Sequence, residues 1–352
     1  MKYEKEFPLF KTKIPGIEQK FNLSTPEGRK EYFEAKAGKE IAALRAYFKN
    51  NSFVAYLLAK KSAGKGTYTK LMSEIFGSDV IEHVSVGDTV RDAFKEAQAD
   101  SVAFAETLRP FYRGYISLEE GVQTLLGKSQ DKLLPTEFIL ALIKRKISGL
   151  PKKTLFLDGF PRELDQVSYA LFFRDLVNYR DDQDIFITID VPESVIDERM
   201  KFRAICPVCQ TPRNTKLLVT KDIEYDEVSG TFYLLCDDHH VRMIAKEGDA
   251  QGIQPIRDRL TRDGELIDKL FTLHGIPRIL VRNAIPVTER ESADDYELTP
   301  EYKLSWNGSA VAVEEVPWIV KDDEGVDVHS LMAPAALIAL LKQLPASLGL
   351  EV

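Results

Sequence analysis

The sequence predicts an α/β fold, a parallel five-stranded sheet with helices on both faces, from three observations. Five short apolar runs, at 54–59, 80–86, 155–157, 185–189 and 279–281, alternate with helical patterns. Such alternation gives a parallel sheet covered on both sides. The first run ends in Lys60-Lys61-Ser62-Ala63-Gly64-Lys65-Gly66-Thr67, with a helix-like segment through Ile75 after it. Strand, small-residue loop with lysine, then helix is the layout that cradles phosphates on loop N–H groups and a helix N-terminus. Ligands of such sheets bind at the carboxyl ends of the strands. Those ends fall at 59–65, 85–91, 158–162 and from Asp190 onward, and three of the four set a charged cluster beside glycine.

Composition bounds the rest. A chain of 352 residues makes two or three units. A net charge of −8 argues against wholesale binding to nucleic acid or to an acidic membrane. The longest apolar runs, such as 333–341, are far short of a bilayer span. The N-terminal MKYEKEFPLF has no apolar signal core. Three cysteines cannot all pair, and the Cys206-Pro-Val-Cys209 spacing points to metal rather than disulfide. The expectation is a cytoplasmic, monomeric enzyme with no membrane and no nucleic-acid partner.

Taken in order, Ser24-Thr25-Pro26-Glu27 reads as a helix start, with a hydroxyl cap and proline just inside. That helix runs to about Asn50 with Tyr32, Ala35, Ile41, Leu44 and Phe48 on one packing face. A helix over 89–98 follows the second strand. The stretch 101–127 reads as mixed, interrupted by Pro110, Gly114 and Gly121. A clean helix over 135–147 carries Phe138, Leu142 and Ile143 on one stripe. The segment 203–247 holds every cysteine. Residues 288–329 are acidic, and Asn307-Gly308 between β-prone runs, with strand-like 310–313 and 318–320, predicts a hairpin. A last helix spans 332–344. His83, His274 and His329 stand isolated and read as structural.

Some residues carry chemistry by type alone. Asp158 at a strand end can hold Mg²⁺ through its waters, with the Thr67 hydroxyl on the same ion. Arg91 and Arg162 are permanently charged forks suited to phosphate oxygens. The Gln166 amide offers a donor and an acceptor side by side. Cys206-x₂-Cys209 followed by Cys236-Asp-Asp-His239 makes a Cys₃His zinc site, or Cys₃Asp if Asp238 substitutes. Four protein ligands leave no open position, so such a zinc is structural.

The motifs GKGT at 64–67, SVGDTVR at 85–91 and DGFPRELDQ at 158–166 together resemble the adenylate kinases, within the nucleoside-monophosphate kinases. The resemblance covers roughly 53–286 plus the terminal helix. It implies a P-loop NTPase-type core at 51–86, 153–202, 248–290 and 330–352. It also implies a helical monophosphate-binding insert at 87–152 and a zinc-stabilised lid at 203–247. Residues 1–50, a helical extension, and 291–329, an insert of unknown role, lie outside it. Leu133-Leu134-Pro135-Thr136-Glu137 would begin the insert's last helix.

By the same resemblance, Ser62, Ala63, Gly64, Lys65, Gly66 and Thr67, with Arg199 and Arg203, bind ATP. Ser85, Val86, Arg91, Gly159, Arg162 and Gln166 bind AMP. Lys65, Arg91, Asp158, Arg162, Arg203 and Arg259 serve catalysis. A further lid cation is Lys246 or Arg242. Val86 replaces the family's usual threonine beside the acceptor base. Ala59, Lys61, Ser62 and Tyr68 depart from the family's loop, and Ala59 and Ser62 fit only where φ is negative. Lys60 and Lys61 would add charge beside the phosphates. The implied reaction is Mg²⁺-dependent transfer from ATP to AMP, giving two ADP. Two alternatives are a kinase for UMP, CMP or GMP, and a non-catalytic nucleotide-binding zinc protein.

Overall fold

The computed structural model describes residues 7–16, 19–127, 134–162, 166–179, 181–246 and 248–352. Residues 1–6 of the N-terminal reading, Leu133, residues 163–165 of the DGFPRELDQ motif and the last residue of 203–247 lie outside that set.

The elements run α1 (Pro26–Tyr47), β1 (Phe53–Leu58), α2 (Lys65–Phe76), β2 (Ile81–Ser85), α3 (Val86–Ala99), α4 (Ser101–Leu108), α5 (Leu118–Gly127) and α6 (Thr136–Ser148). They continue with β3 (Thr154–Asp158), α7 (Gln166–Ala170), α8 (Phe173–Leu176), β4 (Gln183–Asp190) and α9 (Glu193–Lys201). The cysteine-bearing segment supplies β5 (Arg203–Ile205), β6 (Pro212–Asn214), β7 (Ile223–Asp226), β8 (Thr231–Leu234) and β9 (Ile244–Ala245). After α10 (Arg257–Leu270) come β10 (Arg278–Arg282), β11 (Ala284–Pro286), β12 (Pro300–Trp306), β13 (Val311–Pro317), β14 (Val320–Lys321), β15 (Asp327–Ser330) and α11 (Ala333–Ser347).

The five predicted strands form one parallel sheet in the order β10-β4-β1-β3-β2. All six residues of β1 are buried, as a central strand covered on both faces requires. Alternate side chains serve two layers. Phe53, Ala55 and Leu57 pack with α1 and α11, through Ile41, Leu44, Leu337 and Leu341. Val54, Tyr56 and Leu58 pack with α6 and α10, through Leu142, Ile143, Ile267 and Leu270. The sheet therefore carries its loops to one edge, with Leu57 and Ser85 both in register with Asp158.

The Thr25 hydroxyl caps α1 by accepting from Gly28 N–H, with Pro26 inside the first turn. The packing face differs from the expected one: Ala35 is exposed, and Phe33, Lys36 and Ala37 are buried beside Tyr32, Ile41 and Leu44. Phe33, Ala37 and Ile41 follow the four-residue helical spacing, and Ala35 lies off that row. Gly121 does not break the chain as expected but sits inside α5, where a Cβ would come within 2.6 Å of the Phe138 ring. Its missing side chain lets α5 lie against α6.

The expected hairpin is β12 and β13, paired antiparallel with Trp306 opposite Val311. The Asn307 carboxamide oxygen holds its turn by accepting from Ser309 and Ala310 N–H. The strand expected at 318–320 begins only at Val320, and Trp318 is buried. The hairpin lies on the cysteine-bearing segment: Tyr302 N–H donates to Lys216 O at 2.7 Å, and Trp306 stacks on Tyr225. Among the described residues, no helix is long and apolar enough to cross a membrane.

Candidate functional site

The loop after β1 closes as a turn, Ala63 N–H donating to Lys60 O at 3.2 Å. Gly64, at φ 91, starts α2, and no side chain caps that helix. Thr67 N–H donates to Gly64 O at 2.8 Å, while no side chain meets the positive end of the helix dipole, as an anion site needs. Lys65 lies across the loop, Nζ donating to Ala59 O at 3.1 Å and 3.6 Å from Asp158 Oδ1. Ala59 avoids the left-handed region, whereas Ser62 sits inside it at φ 66. The condition set for Ser62 by the sequence is not met, and the loop carries strain at a position that favours glycine.

The two lysines before Ser62 part company. Lys61 stays at the site: burial, and then Arg259, Lys246 and Arg203 around it, push its pKa down. Lys60 turns away from where it was expected. Its Nζ is buried and donates to Glu193 at 2.8 Å and to Asp323 at 2.6 Å. Burial works against the Lys60 charge, but these two carboxylates raise its pKa overall.

Gly87 marks where Arg91 and Arg162 meet, since a Cβ there would be 3.5 Å from a guanidinium nitrogen of each. Ser85 caps α3 through Asp88 N–H, and Arg91 pairs with Asp88. The Arg162 guanidinium lies over Gly159. Its buried Nε has no hydrogen-bond partner among the described residues. Burial, and then Arg259, lower its pKa against the pull of Asp158 and Asp263. Val86 is buried. Gln166 is buried too, its Oε1 accepting from Arg162 N–H at 2.8 Å and its Nε2 donating to Thr136 Oγ1 at 3.2 Å.

Arg203 makes a two-point pair with Asp249, one bond at 2.8 Å. The Arg259 charge acts on both Lys61 and Arg162, lowering the pKa of each. Of the two candidates for the further cation, Lys246 is the one whose charge lowers the Lys61 pKa, while Arg242 lies over the Tyr233 ring 4.0 Å from its centroid. Arg199 donates to Asn283 Oδ1 at 2.7 Å and to Ser330 Oγ at 3.3 Å, and Asn283 Nδ2 donates to the Tyr68 hydroxyl. Sequence reasoning missed Asn283, Ser330, Asp249 and Asp263. Asn283 directly follows β10, and treating that fifth strand end like the other four would have found it. His83 is not isolated as expected: its Nε2 lies 3.9 Å from Asp158 Oδ2.

The four expected metal ligands come together in the segment between α9 and α10. Cys209 Sγ is 3.8 Å from Cys236 Sγ, and His239 Nδ1 is 3.6 Å from Cys236 Sγ and 4.0 Å from Cys206 Sγ. All four donor atoms lie within 4.8 Å of one another. Ligands about 2.0–2.3 Å from a tetrahedral centre lie about 3.3–3.8 Å apart, so the donor set fits a metal of that geometry. Two matching turns build it: Gln210 N–H donates to Cys206 O and His240 N–H to Cys236 O, with Gln210 and His240 both left-handed. The fourth donor is His239; Asp238 is exposed and outside the group.

No family model matches the chain. Among curated proteins it is similar to the adenylate kinase of Thermotoga petrophila, 29% identical over 201 residues, which is 56% of this chain and 76% of that protein. It is likewise similar to the adenylate kinase of Thermotoga neapolitana, 28% identical over 232 residues, covering 65% of this chain and 89% of the relative. A third, from Clostridium novyi, is 28% identical over 205 residues, 58% of this chain and 78% of the relative. These likenesses are distant and partial, each to an adenylate kinase.

Proposed function

We propose that the chain is a nucleoside-monophosphate kinase of the adenylate kinase kind, catalysing ATP + AMP ⇌ 2 ADP. One observation carries the reading. The Arg259 charge acts on both Lys61 and Arg162 beside an uncapped helix N-terminus, and the buried Arg162 Nε–H has no acceptor among the described residues. Cations crowded in this way need a multiply charged anion to balance them, and two nucleotide phosphates meeting head to head supply one.

In this reading Lys65 and the loop N–H groups outside the turn's own hydrogen bonds hold the donor's outer phosphates, and Arg91 and Arg162 hold the acceptor phosphate. Arg203, Arg259 and Lys61 close over the transferring group and keep water from it. Arg199 faces the donor base. An acceptor oxygen attacks the γ-phosphorus in line, and these residues contribute position and charge. Asp158 and Thr67 would hold Mg²⁺, which when bound neutralises phosphate charge. Zinc on Cys206, Cys209, Cys236 and His239 would be structural. Residues 87–152 form the acceptor insert, 203–247 the lid, and 51–86, 153–202, 248–290 and 330–352 the core. Residues 1–50 and 291–329 are additions to that plan.

A second reading, a different monophosphate acceptor, is favoured by Val86 and by Gln166, whose amide is bonded at both ends within the protein. A coupled assay of ADP formation with AMP, UMP, CMP and GMP decides between them. AMP is expected to give the highest kcat/KM; activity with UMP and none with AMP would overturn the first reading. Lys65→Ala should cost about 10²-fold or more in kcat. Unchanged ADP formation in that variant would overturn the catalytic assignment of this loop, and no ADP formation by the wild-type chain would leave the non-catalytic binding protein.

A further inference from the structure

The geometry points to Asp323 as a positioning residue for the phosphate loop, acting from the 291–329 segment through Lys60. This rests on the kinase reading above.

The loop's difficulty is Ser62. The turn of residues 60–63 places its third residue at φ 66, where glycine is the usual solution. A serine there relaxes to negative φ unless the two residues before it are held. Both are. At the second residue, Lys61 N–H donates to Asp263 Oδ2 at 2.8 Å. At the first, the Lys60 ammonium is held between Asp323 Oδ2 at 2.6 Å and Glu193 Oε1 at 2.8 Å. The remaining Asp323 oxygen accepts from Glu193 N–H at 2.7 Å, so one carboxylate joins the loop to the start of α9.

Asp323 is itself held in place. Asp322 Oδ1 accepts from Glu324 and Val326 N–H, closing a tight turn with Gly325 left-handed. Asp322 Oδ2 accepts from Arg282 at 2.7 Å, and Lys321 O accepts from the Ser194 hydroxyl at 2.6 Å. The turn is thus anchored to β10 and α9 before Asp323 reaches Lys60. A carboxylate on such a support holds an ammonium at fixed position rather than following it. Lys60 O is the acceptor that closes the Ser62 turn, so fixing Lys60 fixes the frame in which Lys65 and the α2 N–H groups are presented.

The test is calorimetric titration with ATP and, separately, AMP, for wild type, Asp323→Asn, Lys60→Met, Ser62→Gly and Ser62→Gly/Asp323→Asn. Asp323→Asn and Lys60→Met should weaken ATP binding at least about fivefold and leave AMP binding unchanged, the scale of coupling seen between residues in contact. The double variant should bind ATP within about twofold of Ser62→Gly alone, because glycine needs no support at positive φ. If Asp323→Asn does not fold, Lys60→Met carries the comparison. Wild-type ATP affinity in these variants, equal loss for ATP and AMP, or no relief by Ser62→Gly would each overturn the inference while wild-type turnover still upheld the kinase reading. A wild-type chain that binds neither nucleotide would overturn both.

Discussion

The Lys36 ammonium lies 3.6 Å from Glu297 Oε1, and both side chains are sealed from water. Lys36 also donates to Thr12 O at 2.7 Å and to Asp294 at 2.8 Å. Glu297 accepts from the Tyr32 hydroxyl at 2.6 Å, from Thr12 Oγ1 at 2.5 Å and from Asp294 N–H at 2.7 Å. One buried, fully bonded ion pair thus ties the N-terminal segment and α1 to the 291–329 segment. Both stretches outside the sequence resemblance are bonded directly to each other.

Breaking that pair from one side should be costly. Lys36→Met leaves the Glu297 carboxylate buried with its countercharge gone, and about 3–5 kcal/mol of stability should be lost. Replacing both, as Lys36→Met with Glu297→Leu, should recover much of it, since apolar residues of like volume pay no charge desolvation. Urea unfolding of the three variants checks this. A Lys36→Met loss below about 1 kcal/mol would mean the pair is not holding the segments together.

Trp306 should report on the metal. Its ring stacks on Tyr225 at 5.2 Å between centroids with planes 20° apart, and Tyr225 lies in the Cys₃His segment. The chain's other tryptophan, Trp318, is buried elsewhere. We expect one equivalent of zinc by elemental analysis and a shift in tryptophan emission on chelation. Trp306→Phe should abolish that shift, and Cys206→Ser should show it without chelator, with a lower Tm. Emission insensitive to chelation in a protein that does lose metal would mean that the hairpin does not follow the Cys₃His segment.

The sheet, the helix caps and the metal ligands were legible because each rests on local chemistry. Thr25 needs only its own helix, and Cys206, Cys209, Cys236 and His239 form two short spacings. Lys60 was misread because nothing in its neighbourhood shows that Asp323 reaches it. Asn283 and Ser330 come together at Arg199 only once β11 pairs with β15. Ser62 was legible as a question, and only the folded backbone answers it.

Gly159 sets the position of Arg162. At φ 86 its hydrogen faces the guanidinium, and a Cβ would be 2.5 Å from one terminal nitrogen and 2.7 Å from Nε. Gly159→Ala must displace Arg162 as well as strain the backbone, which alone costs about 1–2 kcal/mol. The expected result is an AMP KM raised about tenfold with the ATP KM little changed, since one charge-assisted phosphate contact is lost. Steady-state kinetics with each nucleotide varied in turn checks it. An unchanged AMP KM would remove Arg162 from the acceptor site.

Asp190 makes stability depend on pH. It ends β4 with its side chain fully buried, neither oxygen has a hydrogen-bond partner among the described residues, and Arg282 Nε is 3.7 Å away. Burial pushes its pKa up to about 6 against the attraction of Arg282. In the unfolded chain the value is about 3.9, so the folded state holds the proton more tightly. The stability this gives is fully present below pH ~4 and is lost as pH rises through about 6. Asp184, raised to about 6 chiefly by burial, acts in the same direction. Asp190→Asn stays neutral throughout. It should therefore be more stable than wild type at pH 8, by about 1–3 kcal/mol, and the two should converge near pH 4. Denaturant midpoints across that range test it, and a difference independent of pH would show that Asp190 does not titrate between the two states.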